Sequence, residues 1–84
     1  MKIPTIHLNG SSRERLVEGY CDASNAIRKA MDVLQEHSPH GRDYYPQGDG
    51  AFAAASDEHR ARVRKLDEVR IELAAIALAI SEAG

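Results

Sequence analysis

The chain has 84 residues and a formal net charge of −2, which bounds it to one small domain and excludes both a polycation and an acidic tail. Apolar residues make up 43%, yet thirteen of them are Ala, with one Phe, three Tyr and no Trp, so large core-forming side chains are scarce. Chains below about 80 residues usually need a disulfide, a metal or a partner subunit to fold stably. The single Cys21 excludes an internal disulfide and makes oligomerisation the expected staple.

Residues 1–10 form the first segment. Ile3-Pro4-Thr5-Ile6-His7-Leu8 alternates weakly and carries β-branched residues, suiting a short strand or an extended arm that Pro4 confines to an edge. Asn9-Gly10 predicts a turn. There is no apolar stretch of secretory type here, so a cytoplasmic protein is expected, and the Asn9-Gly10-Ser11 sequon carries no glycan.

A helix is predicted over 11–37. Ser11 and Glu14 have the spacing of a capping box, and Leu16, Tyr20, Ala23, Ile27, Ala30 or Met31, and Leu34 recur at steps of three and four. Ser38-Pro39 ends it, because the residue before a proline is pushed out of helical geometry.

Residues 38–50 hold two of the three prolines and three of the six glycines, making this the least helical segment and a candidate functional loop. A second helix is predicted over 51–82, with Asp49 or Ser56 as its cap and a stripe of Phe52, Ala55, His59, Val63, Leu66, Val69 or Leu73, Ile76 and Ile80. Glu58 with Arg62, and Arg64 with Glu68, are spaced as intrahelical ion pairs. From Ile71 to Ile80 apolar residues cover nearly the whole circumference, which implies burial on several sides. At about ten residues that run is half the length a bilayer span needs.

These segments define an all-α fold: one domain, residues 1–84, built as a long antiparallel helical hairpin with a short extended N-terminal arm. Two helices leave the all-round apolar end open, so a homo-oligomer is expected, a dimer or higher, forming a helical bundle in which arms pair between neighbours.

The chemistry concentrates in the loop. Arg42 has the planar fork that grips phosphate or carboxylate, Tyr44 and Tyr45 stack on a base or close a contact, and Asp43, Gln47 and His40 add polar contacts. Arg60 and Arg64, from the second helix of a neighbour, are candidates to complete such a pocket. The competing reading is that both Tyr anchor the loop while Arg42 and Asp43 tie its turn. His7, His37, His40 and His59 lack metal-ligand spacing, so no metal is expected. Basic residues of the second helix are interspersed with acids, which argues against duplex nucleic acid. Cys21 reads as a partly buried packing residue, and His59 as a seam residue bonded to a loop carbonyl. With no phosphate-binding Gly loop and no nucleophile–base arrangement, the chain reads as a non-enzyme without cofactor.

Thr5-Ile6-His7-Leu8-Asn9-Gly10, a helix, His40-Gly41-Arg42-Asp43-Tyr44-Tyr45-Pro46-Gln47-Gly48, then Phe52, His59 and an Ala/Leu/Ile-rich end resemble, over nearly the whole chain, small uncharacterised helical-hairpin proteins of tailed phages and prophages. In size, expected oligomerisation and its Arg/Tyr loop the chain is more loosely similar to phage anti-defence sponges that sequester cyclic-nucleotide immune signals. The resemblance implies an anti-defence protein, in the cytoplasm of an infected bacterium, that binds a small phosphate-bearing nucleotide without cleaving it. An inhibitor or adaptor of a host protein, or a structural virion or accessory component, is the alternative.

Overall fold

The computed structural model describes residues 1–83 as a rod of 61 × 20 × 18 Å. Its radius of gyration is 18.5 Å, against about 12 Å for a compact domain of this length. Two helices account for the shape: α1, Arg13–Glu36, and α2, Ala51–Glu82. They pack side by side as an antiparallel hairpin, and the described residues contain no strand. The segment before α1 forms neither helix nor strand and closes in a turn in which the Gly10 amide donates to the His7 carbonyl at 3.1 Å.

α1 starts two residues later than the sequence suggests. Ser12, not Ser11, is the cap: its backbone is extended and its hydroxyl accepts from the Arg15 amide at 3.1 Å, so Ser11 and Glu14 form no capping box. Glu14 still falls in the first turn, where a carboxylate opposes the helix dipole favourably. At the other end the Ser38 amide and hydroxyl both donate to the Gln35 carbonyl, the hydroxyl at 2.8 Å, and Pro39 then prevents a further turn.

α2 begins without a side-chain cap. Neither Asp49 nor Ser56 serves; Gly50 takes the cap position in the left-handed region at φ 85°, because the chain leaves the loop through Gly48, also at positive φ, and needs the second reversal to enter the helix.

The seam of α1 follows the predicted stripe with one substitution. Leu16, Tyr20, Ile27, Met31 and Leu34 are half-buried, with Met31 rather than its alternative Ala30 facing inward, but Ala23 is exposed and Ser24 takes its place at 7% exposure. Ser24 Oγ donates to the Arg70 carbonyl of α2 at 3.1 Å, which fixes the register and brings the helices close. A small polar residue suits this place, since a hydroxyl reaches a helix carbonyl without pushing the backbones apart. Ser24→Ala is expected to cost about 1 kcal/mol by loss of that bond, and Ser24→Leu about 1–3 kcal/mol by overpacking, both read from urea unfolding.

On α2 the inward set is Val63, Leu66, Leu73, Ile76 and Ile80, while Phe52 and Val69 stay largely exposed. Burial is deepest at the far end, where Ile76, Ala77 and Ile80 form the only buried apolar group among the described residues. A bare two-helix seam leaves its last turn open. The register set by Ser24 puts Ile80 beside the start of α1, and Pro4 and Ile6 of the segment before α1 are half-buried. Ile71 and Leu78, on the outer side of the same apolar run, remain 53% and 59% exposed.

Candidate functional site

The loop between the helices is more ordered than its composition suggests. Two single turns of 3-10 helix occupy Gly41–Asp43 and Tyr45–Gln47, and the amides of Asp43, Tyr44, Gln47 and Gly48 all donate to carbonyls within the loop at 2.9–3.2 Å. Pro46 lies in the second turn, where a fixed φ and a missing amide donor cost nothing.

His40 caps the first turn: its Nδ1 accepts from the Arg42 amide at 3.2 Å. An accepting Nδ1 leaves Nε2 carrying the proton in the neutral ring, so His40 offers a donor outward. The two tyrosines divide their roles. Tyr44 is half-buried and braces the loop, whereas Tyr45 stands 78% exposed on the turn that rests against α2. Arg42, Asp43 and Gln47 are exposed beside it, and Arg42 enters none of the ion pairs among the described residues.

Below the loop, a groove of about 540 Å³ runs between the end of α1 and the first half of α2, lined by Gln35, Ser38, His59, Arg60 and Arg64 with Met31, Val63 and Asp67. His59 is half-buried in the seam, and its Nε2 lies 3.3 Å from Ser38 Oγ. The Ser38 proton is already given to the Gln35 carbonyl, so the imidazole Nε2–H donates to the hydroxyl. The ring therefore meets a hydroxyl rather than the loop carbonyl expected, and the contact ties the loop's first residue to α2.

The groove's charges are unequal in freedom. Arg60 is paired with Asp57 one turn before it, and Asp67 is held by Arg70 at 2.8 Å. Glu58 and Arg62 approach at 3.9 Å as the spacing predicts, but Arg64 makes no ion pair with Glu68 or any other described residue. Arg64 thus presents a guanidinium with open donors to a concave, partly apolar surface.

The sequence-selected residues fall into two groups at one end of the rod. His40, Arg42, Asp43, Tyr44, Tyr45 and Gln47 belong to the loop and do not line this groove. Arg60 and Arg64 share the groove beneath. What the sequence reading missed is the Gln35–Ser38–His59 arrangement joining the two; Ser38 was legible only as a helix stop. Cys21, expected partly buried, is exposed and lines a second groove toward the other end. Among the described residues no cluster of His, Cys, Asp or Glu is arranged to hold a metal ion, and no helix is long and apolar enough to cross a membrane. No protein-family model, no curated protein and no solved structure matches the chain.

Proposed function

We propose that the protein is a non-enzymatic, homo-oligomeric binding protein that sequesters a small phosphate-bearing nucleotide at the loop end of the hairpin, as an anti-defence protein of phage origin acting on an immune signal would. The observation that carries this reading is the unpaired Arg64 in a groove of about 540 Å³, a size within the range of small-molecule sites. An Arg fork suits phosphate oxygens, Gln35 supplies an amide able to read a base or ribose, and the apolar floor of Met31 and Val63 suits a base. Tyr45, Arg42, Gln47 and the Nε2–H of His40 stand on the adjoining loop to close over a ligand. Arg60 and Arg64 stand at the loop end of their own chain, so a neighbour is not required to supply them. Sequestration asks only for tight binding without turnover.

Thermal-shift titration with cyclic di- and trinucleotides and cyclic ADP-ribose isomers tests the reading, since a ligand at a hundred times its dissociation constant adds about 2.7 kcal/mol to a protein that binds it only when folded. Arg64→Ala is expected to weaken binding by roughly 10- to 100-fold, as loss of a charge-assisted contact of about 1.5–3 kcal/mol does. Arg60→Ala, already engaged by Asp57, loses less. A flat panel across all ligands overturns the nucleotide reading.

One observation favours a second reading. Tyr45 stands 78% exposed on the same loop as the unpaired Arg42, and Tyr and Arg are both residue types enriched at interface hot spots. An inhibitor or adaptor that docks a host protein through Tyr45 and Arg42 would be sensitive to Tyr45→Ala and indifferent to Arg64→Ala.

A further inference from the structure

Away from the loop, a second groove of about 540 Å³ lies on the face of the hairpin that carries Val17, Cys21, Asn25 and Arg28 of α1 beside Ala74 and Leu78 of α2. The α1 side of this face has a symmetry of its own. Val17 and Asn25 stand four residues either side of Cys21, and Glu14 and Arg28 stand seven either side, all on one helix face by the spacing of three and four. Glu14 and Arg28 are exposed, and neither enters an ion pair among the described residues. The charges at the two ends of the pattern are opposite, and its centre is small.

We infer that this face is an interface between two copies of the chain, packed antiparallel about a twofold axis at Cys21, with Glu14 of each copy against Arg28 of the other. The inference rests on the reading of the protein as a homo-oligomer and names the surface that makes it one. A twofold contact sets a patch against itself, so residues equally far either side of the axis meet. Glu14 and Arg28 both lie about 10.5 Å from Cys21 along the helix, at 1.5 Å per residue, and so arrive opposite each other twice.

The alternatives on the same face gain nothing from charge. A parallel pairing sets Glu14 against Glu14 and Arg28 against Arg28. Sliding the second copy by one helical turn toward the loop sets Glu14 against Asp32 and Arg28 against Glu18, so repulsion and attraction cancel. Only the register about Cys21 turns both ends attractive, and like charges across an interface are what exclude wrong partners.

The apolar content agrees. Among the described residues the buried apolar ones are Ile76, Ala77 and Ile80, while Leu78, at the edge of this groove, is 59% exposed. Cys21 and Ala74 near the axis are small enough for helices to approach closely. The resulting dimer carries its two loops at opposite ends, so each ligand site stands clear of the other.

Sedimentation of the full chain at low salt tests this with Glu14→Arg, Arg28→Glu and the double swap, helicity being checked by circular dichroism. Wild type is expected to be a dimer, each single swap to weaken it roughly tenfold or more because two like-charge contacts arise per dimer, and the double swap to restore it. A short bis-thiol crosslinker should join Cys21 to Cys21 in the wild type and the double swap but not in the singles. Should a single swap melt the helix, Glu14→Gln and Arg28→Gln in the same assay replace it, with a weaker dimer expected of each, less so than for the charge reversals. A dimer indifferent to these changes overturns the interface and leaves the oligomer reading standing; a wild-type monomer overturns both.

Discussion

Ile80→Ala is expected to lower the melting temperature more than truncation of any other aliphatic residue in the chain. Ile80 is fully buried at 0% exposure, and together with Ile76 and Ala77 it forms the deepest part of the core. Removing a buried Ile side chain to Ala costs about 2–5 kcal/mol, the transfer term plus the cavity left behind. A single core in a chain this short rarely supplies more than about 3–5 kcal/mol, so this one substitution approaches the whole stability of a lone hairpin. Val33→Ala makes the control: Val33 is 48% exposed, and the change should stay near 0.5 kcal/mol. Thermal melts followed at 222 nm separate the two. Equal shifts would show that the end of α2 is open.

Depth of burial is also where sequence and structure part. The periodicity of α1 and α2 was plain because each helix must turn one stripe inward, and Pro39 and the paired glycines punctuate the chain between them. Periodicity reports spacing, not depth. It selected Ala23, whose methyl group serves equally well in water, and it passed over Ser24, because a polar residue enters a seam only where the partner backbone offers an acceptor. The Arg70 carbonyl is that acceptor, and no pattern in the sequence announces it. The same limit explains the cap of α1: Ser11 and Ser12 are chemically equivalent, and only the path of the arm decides which hydroxyl reaches an amide.

For the candidate site the balance is similar. Residue types in the loop pointed to Arg42, Tyr44, Tyr45 and Gln47, and the fold separates a bracing Tyr44 from a presented Tyr45. Arg60 and Arg64 looked alike in the sequence. Asp57, three residues before Arg60, takes one of them and leaves the other free, a distinction of rotamer and reach rather than of composition. The Ser38–His59 clamp joins residues 21 positions apart and required the hairpin register to be seen.

Gly48→Ala is expected to cost about 1–3 kcal/mol and to loosen the loop while the helices remain. Gly48 holds φ 100° with ψ near 180°, a region open in practice only to glycine, and a Cβ placed there meets nothing within 4 Å. The penalty therefore comes from the backbone and not from a clash, and repacking of neighbours cannot relieve it. Gly50 differs: at φ 85° and ψ −14° it is near ordinary left-handed geometry, so Gly50→Ala should cost about 1 kcal/mol and Gly50→Asn less. Gly41→Ala, with equal space and no positive φ, should be close to neutral. Urea unfolding of the three alanine variants ranks them. The order Gly48, Gly50, Gly41 would show that backbone conformation alone holds the turn that carries Arg42 and Tyr45, and the Gly48 variant should then bind ligand or partner more weakly than its residual stability accounts for. Equal costs at all three would mean that the loop is set by its side chains, with Tyr44 as the brace and the glycines as bystanders.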